Sequence, residues 1–280
     1  MNIPKPQTWP DCDEAVYNYI TSFVGMLKAK MEPHLVGVYL HGSLAMSSYF
    51  PPKSDMDLII VTDNKLDAEL AKSLNTSIAG YAEARPTIGS IECSVITMQT
   101  ARDVPEKMPY ELHYSEAWHE RILKDSVSYG VEQFDSDLPA HLMCVKKRGI
   151  CLYGMAIDDV FGDVSWRSFL LSVMDDFNWI VEGENICESP YYGVLNVCRV
   201  MQIIVEGNEK YLSKYEGAVW GMDNLPDEHL PLIQQALEVY TSNEPIDKHE
   251  QKTGGATWDK AALLSFRDYA REKGRDTWKS

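Results

Sequence analysis

Apolar residues recur along this chain in two rhythms. Over residues 13–31, Val16, Ile20, Phe23, Val24 and Leu27 repeat at helical spacing, which predicts an amphipathic helix capped by Asp11 or Asp13. The period then gives way to short continuous apolar runs. Residues 35–40, 56–62 and 91–98 read as buried strands, the first ending at Gly42-Ser43 and the last opened by Gly89. Helices are predicted from about Leu44 to the Pro51-Pro52 break, over 67–81, over 112–128 and over 138–148. Near residues 158–165, Gly162 and a group of aspartates interrupt the pattern. Beyond them helical periodicity runs almost alone, over 166–181, 192–206, 227–241 and 257–273. The expected fold is therefore α+β. Residues 1–160 form a domain of helices around a small mixed sheet, and residues 161–280 form an all-helical bundle. No internal repeat or low-complexity segment is present.

Composition narrows the class without naming a function. The 280 residues are 45% hydrophobic and 24% charged, as in an ordinary globular protein. No apolar stretch approaches the length of a membrane span, and Asp11, Asp13 and Glu14 stand where a signal peptide needs an apolar core. The six cysteines form neither a CxxC pair nor a Cys/His cluster, so buried reduced thiols in a cytoplasmic protein are expected; a monomer is the expected state, though no residue pattern specifies it. The net charge of −16 argues against a nucleic-acid partner, which would be repelled. It suits either a cationic ligand or simple solubility.

The chemistry concentrates where the strands begin and end. His41-Gly42-Ser43 closes the first strand, and a glycine there lets backbone N–H groups approach a phosphate closely. Ser54-Asp55-Met56-Asp57 opens the second strand. Residues two apart share a face, so Asp55 and Asp57 can aim two hard oxygen ligands at one Mg²⁺. Ser54 either caps the turn or touches a phosphate. Glu92 interrupts the apolar third strand, where a carboxylate is costly unless a metal, an ion pair or a proton compensates it. Asp55, Asp57 and Glu92 are thus the candidate metal ligands. Arg199 lies in an apolar helix and needs an anionic partner, either a phosphate or a structural carboxylate. This set describes a nucleotidyl-transfer site.

The pattern resembles the DNA polymerase β-like nucleotidyltransferase superfamily. More narrowly, the chain resembles the bacterial aminoglycoside (3'')(9)-adenylyltransferases, which modify streptomycin and spectinomycin. The likeness rests on Tyr39-Leu40-His41-Gly42-Ser43, Lys53-Ser54-Asp55-Met56-Asp57-Leu58 and Glu111-Leu112-His113-Tyr114-Ser115-Glu116-Ala117-Trp118 in the first half. In the second half it rests on Val194-Leu195-Asn196-Val197-Cys198-Arg199 and Leu212-Ser213-Lys214-Tyr215-Glu216-Gly217-Ala218-Val219-Trp220. It implies that ATP is the co-substrate and that two Mg²⁺ ions sit on Asp55 and Asp57. It implies that Glu92 takes the proton of the attacking hydroxyl, and that Gly42, Ser43, Ser54, Arg199, Lys214 and Tyr240 hold the nucleotide. Trp118 matches an aromatic of the acceptor pocket. Read from the residues alone, Lys214 is a surface lysine, and Trp118 and Tyr240 are core aromatics on helices.

One departure bears on the acceptor. The family carries an acidic residue roughly ten positions before the arginine that helps hold the cationic antibiotic, and here that count reaches Ser189. Glu188 beside it is the candidate replacement, with Glu182 and Glu184 upstream. A solvated linker explains the same cluster. The expected function is transfer of AMP to a hydroxyl of an aminoglycoside or aminocyclitol. Alternatives are another small hydroxylated acceptor, such as a lincosamide, and a non-catalytic Mg-ATP-binding module.

Overall fold

The computed structural model of the chain describes residues 4–51, 53–206, 211–244 and 250–277. It divides into two units, one spanning Gln7–Phe169 and the other running from Leu170 onward with the first residues of the chain.

The first unit is built from α1 (Glu14–Met31), β1 (Leu35–His41), α2 (Gly42–Ala45), β2 (Met56–Thr62), α3 (Ala68–Ala82), β3 (Ile91–Thr97) and α4 (Met98–Asp103). Then follow β4 (Pro109–Tyr110), β5 (Leu112–Tyr114), α5 (Glu116–Leu123), β6 (Gln133–Phe134), α6 (Leu138–Arg148), β7 (Ile150–Gly154) and α7 (Ile157–Val160). Five strands make one mixed sheet in the order β5-β3-β2-β1-β7. The pair β2–β3 is parallel and the other pairs are antiparallel.

Alternation along the strands sorts the core into two layers. Val38, Leu40, Leu58, Ile60, Cys93 and Val95 face α1 and α3. Tyr39, Ile59, Val61 and Ile96 face the opposite layer, built from Ala101, Leu138, Leu142, Val145 and Val160. Both faces of the sheet are therefore buried, which explains why these strands read as continuous apolar runs. Each fully buried side chain contributes about 1.5–3 kcal/mol through area removed from water. Parity along the strands also decides where the polar residues go. His41, Asp57 and Glu92 belong to the α6-facing set, each at the end of its strand.

Two differences from expectation bear on the main sheet. The helix expected over 112–128 is instead β5 followed by α5. Leu112 and Tyr114 turn inward against β3, and Ser115 stands at the N-cap of α5. A three-residue alternation is too short to outweigh the helical pattern that follows it. Strand β7, which pairs with the free side of β1, carries no alternating apolar signal because all five of its residues are half-buried or exposed.

The second unit is helical. α8 (Trp166–Val181) crosses the division, and α9 (Pro190–Glu206), α10 (Lys214–Asn224), α11 (Leu230–Thr241) and α12 (Lys260–Thr277) follow. α10 was not expected. Its start is marked by a capping box, in which Ser213 Oγ accepts from Glu216 N–H and Glu216 reaches back to Ser213 N–H. Its glycines lie against α9: a Cβ on Gly217 would come within 2.6 Å of Arg199 Cγ, and one on Gly221 within 2.9 Å of Cys198 Sγ. Among the described residues, no helix is long and apolar enough to cross a membrane.

Candidate active site

The site in the first unit grows from the end of β1. His41 is the last residue of that strand, and its register partner on β2 is Asp57. Asp57 is in turn the partner of Glu92 on parallel β3. In a parallel pair, register partners point the same way, so the Asp57 and Glu92 carboxylates lie side by side at the open ends of their strands. Both are partly exposed, whereas the next five residues of each strand are buried. Gly42 follows His41 with φ +65°, and a Cβ there would overlap the Asp57 carboxylate. Only glycine brings the start of α2 this close to that carboxylate. Ser43 lies in the first turn of α2, and its carbonyl accepts from Ser48 N–H at 2.9 Å.

Asp55 and Ser54 are placed by the loop before β2. Asp55 Oδ1 accepts from Ser90 N–H at 2.8 Å, which ties the entry of β2 to the entry of β3. Gly89 makes this closure possible, since a Cβ there would overlap the Ser54 carbonyl. Ser54 is buried, and its Oγ accepts from Phe50 N–H at 3.0 Å, closing the turn that delivers Asp55. Of the two roles open to Ser54 in the sequence, the turn-closing one is thus visible. Among the described residues, no three His, Cys, Asp or Glu side chains converge closely enough to form a ready cation cage. Asp55, Asp57 and Glu92 are the hard oxygen donors at these strand ends, and Mg²⁺ ordinarily completes its shell with substrate phosphates and water. The donor set fits a Mg²⁺ that arrives with a nucleotide.

Helix α6 flanks the cradle with groups that sequence reasoning did not single out. The His141 ring lies 5.0 Å from that of His41. Burial drives the His41 pKa well below its ordinary value, and the neighbouring His141 adds to the effect. His41 is therefore neutral. Arg148, at the end of α6, donates to the Met46 carbonyl at 2.9 Å, which puts a guanidinium beside the turn that ends α2. Its signal in the sequence was the Lys146-Lys147-Arg148 cluster, which reads equally as an ordinary basic helix end.

Trp118 is half-buried on α5 and packs against the core under the sheet. It has polar company. Its ring is edge-on to His113 at 6.0 Å, and the Arg121 guanidinium lies 4.3 Å over its face. His113 Nδ1 is 2.9 Å from Ser94 Oγ, on the same face as Glu92 and two residues along from it. Burial lowers the His113 pKa, and the more distant Asp135 charge acts the other way.

In the helical unit, Arg199 and Lys214 both act electrostatically on Asp176. Arg199 Nη2 donates to Asn196 Oδ1 one turn earlier, and Lys214 Nζ lies 4.8 Å over the Tyr192 ring. Tyr192 in turn donates to Asp176, which the sequence gave no reason to select. Tyr240 is buried on the core face of α11 beside Ala236 and Leu237. Glu188 is exposed at the end of the 3₁₀ turn Asn185–Cys187, and Glu182 is exposed as well. Glu184 is held by Lys260 at 2.6 Å.

Comparison with known proteins bears on both units. Residues 159–264 match the family described as aminoglycoside adenylyltransferase, C-terminal domain. The chain is 23% identical over 239 residues to the aminoglycoside (3'')(9) adenylyltransferase of Klebsiella pneumoniae, spanning 82% of this chain and 87% of that protein. It is 28% identical over 224 residues to a spectinomycin 9-adenylyltransferase of Staphylococcus aureus, spanning 77% of this chain and 81% of the relative. Its fold is similar to that of a spectinomycin adenyltransferase from Enterococcus faecialis crystallised with ATP and spectinomycin. That match has a TM-score of 0.73 and 20% identity, and it covers 92% of this chain and 98% of the other.

Proposed function

From these likenesses we propose that the chain is an aminoglycoside adenylyltransferase, which moves AMP from ATP to a hydroxyl of streptomycin or spectinomycin. The observation that carries the reading is the register pairing of Asp57 with Glu92 beside the side-chain-free start of α2 at Gly42. A base and a cation ligand placed at one strand edge, next to a backbone able to approach a triphosphate, are the parts such a transfer needs.

Each residue has a defined task in this reading. The Gly42-Ser43 backbone and the Ser43 hydroxyl hold the triphosphate. Glu92 accepts the proton of the acceptor hydroxyl as its oxygen bonds to the α-phosphorus and the bond from that phosphorus to the bridging oxygen breaks. Pyrophosphate leaves, its charge met by Arg199 and Lys214 from the helical unit. Asp55 and Asp57 would hold Mg²⁺, expected as two ions, which when bound neutralises phosphate charge and lowers the pKa of the acceptor hydroxyl. Trp118 and Glu188 are assigned to the acceptor, with the acidic surface of the protein drawing in a cation.

The test is mass spectrometry for an AMP adduct on streptomycin, spectinomycin, other aminoglycosides and lincosamides, with pyrophosphate release followed in parallel. An adduct on streptomycin or spectinomycin is expected. Asp57→Asn should abolish it with the thermal melt unchanged. An adduct on a lincosamide alone would replace the acceptor in this reading, and normal turnover by Asp57→Asn would overturn the assignment of the site.

A further inference from the structure

The mechanism gives no task to Asp176, an ionisable group that reaches from one helix of the helical unit to another. Asp176 is partly buried in the middle of α8 and is not among the carboxylates assigned to metal, base or acceptor. Its carboxylate accepts from Tyr192 on α9, whose hydroxyl is 3.2 Å from each oxygen. The Lys214 ammonium lies over the ring of the same tyrosine. Arg199 follows Tyr192 by seven residues, two helical turns, so both project from one face of α9. Burial raises the Asp176 pKa. The Arg199 charge, the Tyr192 hydroxyl and the Lys214 charge all act to lower it, and Asp175 acts weakly the other way. The carboxylate thus lies within the electrostatic reach of both cations that the proposed function assigns to the nucleotide phosphates, with Tyr192 touching it directly.

The surroundings are built to keep this arrangement. Asn196 is 1% exposed, its Nδ2 has no hydrogen-bond partner, and its Oδ1 is occupied by Arg199. Leaving a buried amide donor unmet is costly. That cost is intelligible if Arg199 must be held in one orientation. Gly217 leaves room for Arg199 where α10 crosses α9, and the capping box at Ser213 sets the first turn of α10, from which Lys214 projects.

We propose that Asp176, tied by Tyr192, is the positioning residue of the phosphate-gripping pair. It gathers Arg199 and Lys214 before nucleotide binds and shares their charge afterwards, so that pyrophosphate is stabilised as it leaves and is still released. The inference rests on the proposed reading of Arg199 and Lys214 as phosphate contacts. Removing the charge then has two effects of different kinds. The cations lose the anion that competes with phosphate, so pyrophosphate binds more tightly. They also lose their fixed geometry, so turnover falls.

The experiment measures inorganic pyrophosphate binding by titration calorimetry and kcat and KM for ATP on the full chain, as wild type and as variants. Asp176→Asn should bind pyrophosphate roughly three- to tenfold more tightly, as expected for losing one nearby opposing charge, and its kcat should fall by about tenfold or more. Asp176→Glu should recover most of both. Tyr192→Phe keeps the charge and removes its tether, so kcat should fall while pyrophosphate affinity stays within about twofold. A purely structural role for Asp176 would weaken binding along with stability. Unchanged or weakened pyrophosphate affinity in a folded Asp176→Asn protein overturns the proposal. Should that variant not fold, unchanged kcat in Tyr192→Phe overturns it instead. Arg199→Ala separates the two levels of argument. If it binds pyrophosphate like wild type, the phosphate reading of Arg199 is wrong. If it loses binding while Asp176→Asn behaves like wild type, only the role of Asp176 fails.

Discussion

At the scale of single residues, the site separates chemistry from scaffolding more sharply than the residue types suggest. Glu92 and Asp57 are register partners, and both are carboxylates at the mouth of the sheet. Ser54 Oγ accepts from Phe50 N–H and Asp55 Oδ1 from Ser90 N–H, so both shape the loop before β2, Asp55 in addition to its proposed task at the metal. Glu92→Gln keeps the shape and removes the base. It should leave ATP binding within about twofold in calorimetry while kcat for adduct formation falls at least about a hundredfold, in line with the usual worth of a positioned base. A second expectation concerns His41, whose pKa is depressed by burial and by His141. The unfolded chain binds a proton near the ordinary histidine value of 6.5, and the folded chain resists it. The stability this contributes is complete above pH 6.5 and is lost as pH falls from there through the depressed folded value. Denaturant unfolding at a series of pH values should show that loss, and His41→Gln should flatten part of it. Burial lowers His113 in the same direction, so the remaining slope belongs partly to that residue.

At the scale of elements, legibility followed length and amphipathic contrast. α1, α3 and α6 and strands β1 to β3 were readable because each buries one face or both, and their apolar positions repeat accordingly. β5 and β7 were not, because three residues of alternation and a half-exposed edge carry too little pattern. α10 escaped for a different reason. It packs through Gly217, Ala218 and Gly221, whose small side chains leave little hydrophobic signal while allowing α9 to come close. The only local announcement of that helix was Ser213 with Glu216 three residues on. Ser213→Ala should therefore lower the unfolding free energy by about 1 kcal/mol. It should also raise KM for ATP, because the first turn carrying Lys214 loses its anchor. Chemical denaturation and initial-rate kinetics check the two parts separately.

At the scale of the whole molecule, a net charge of −16 sets an acidic background for the few basic groups singled out above. Arg199 and Lys214 in the helical unit and Arg148 beside the cradle stand out against that background. Encounter with a cationic acceptor should be steered by the acidic surface, so KM for the antibiotic should rise several-fold between about 50 and 300 mM salt as the Debye length shortens. Initial rates at fixed ATP across that range test this, and a flat profile would remove steering from the account. The sequence by itself determined the elements with strong periodicity, the α+β class, and the carboxylates and glycine that share the ends of the first three strands. It could do so because period-two alternation and the backbone freedom of glycine are local properties that need no knowledge of neighbours. Only the tertiary structure decided that Glu92 lies in register with Asp57, that Asp55 is engaged by Ser90, and that Asp176 and Tyr192 stand with Arg199 and Lys214. Strand register and helix packing are settled by side chains far apart in sequence competing for the same buried space, and no local pattern encodes the outcome of that competition.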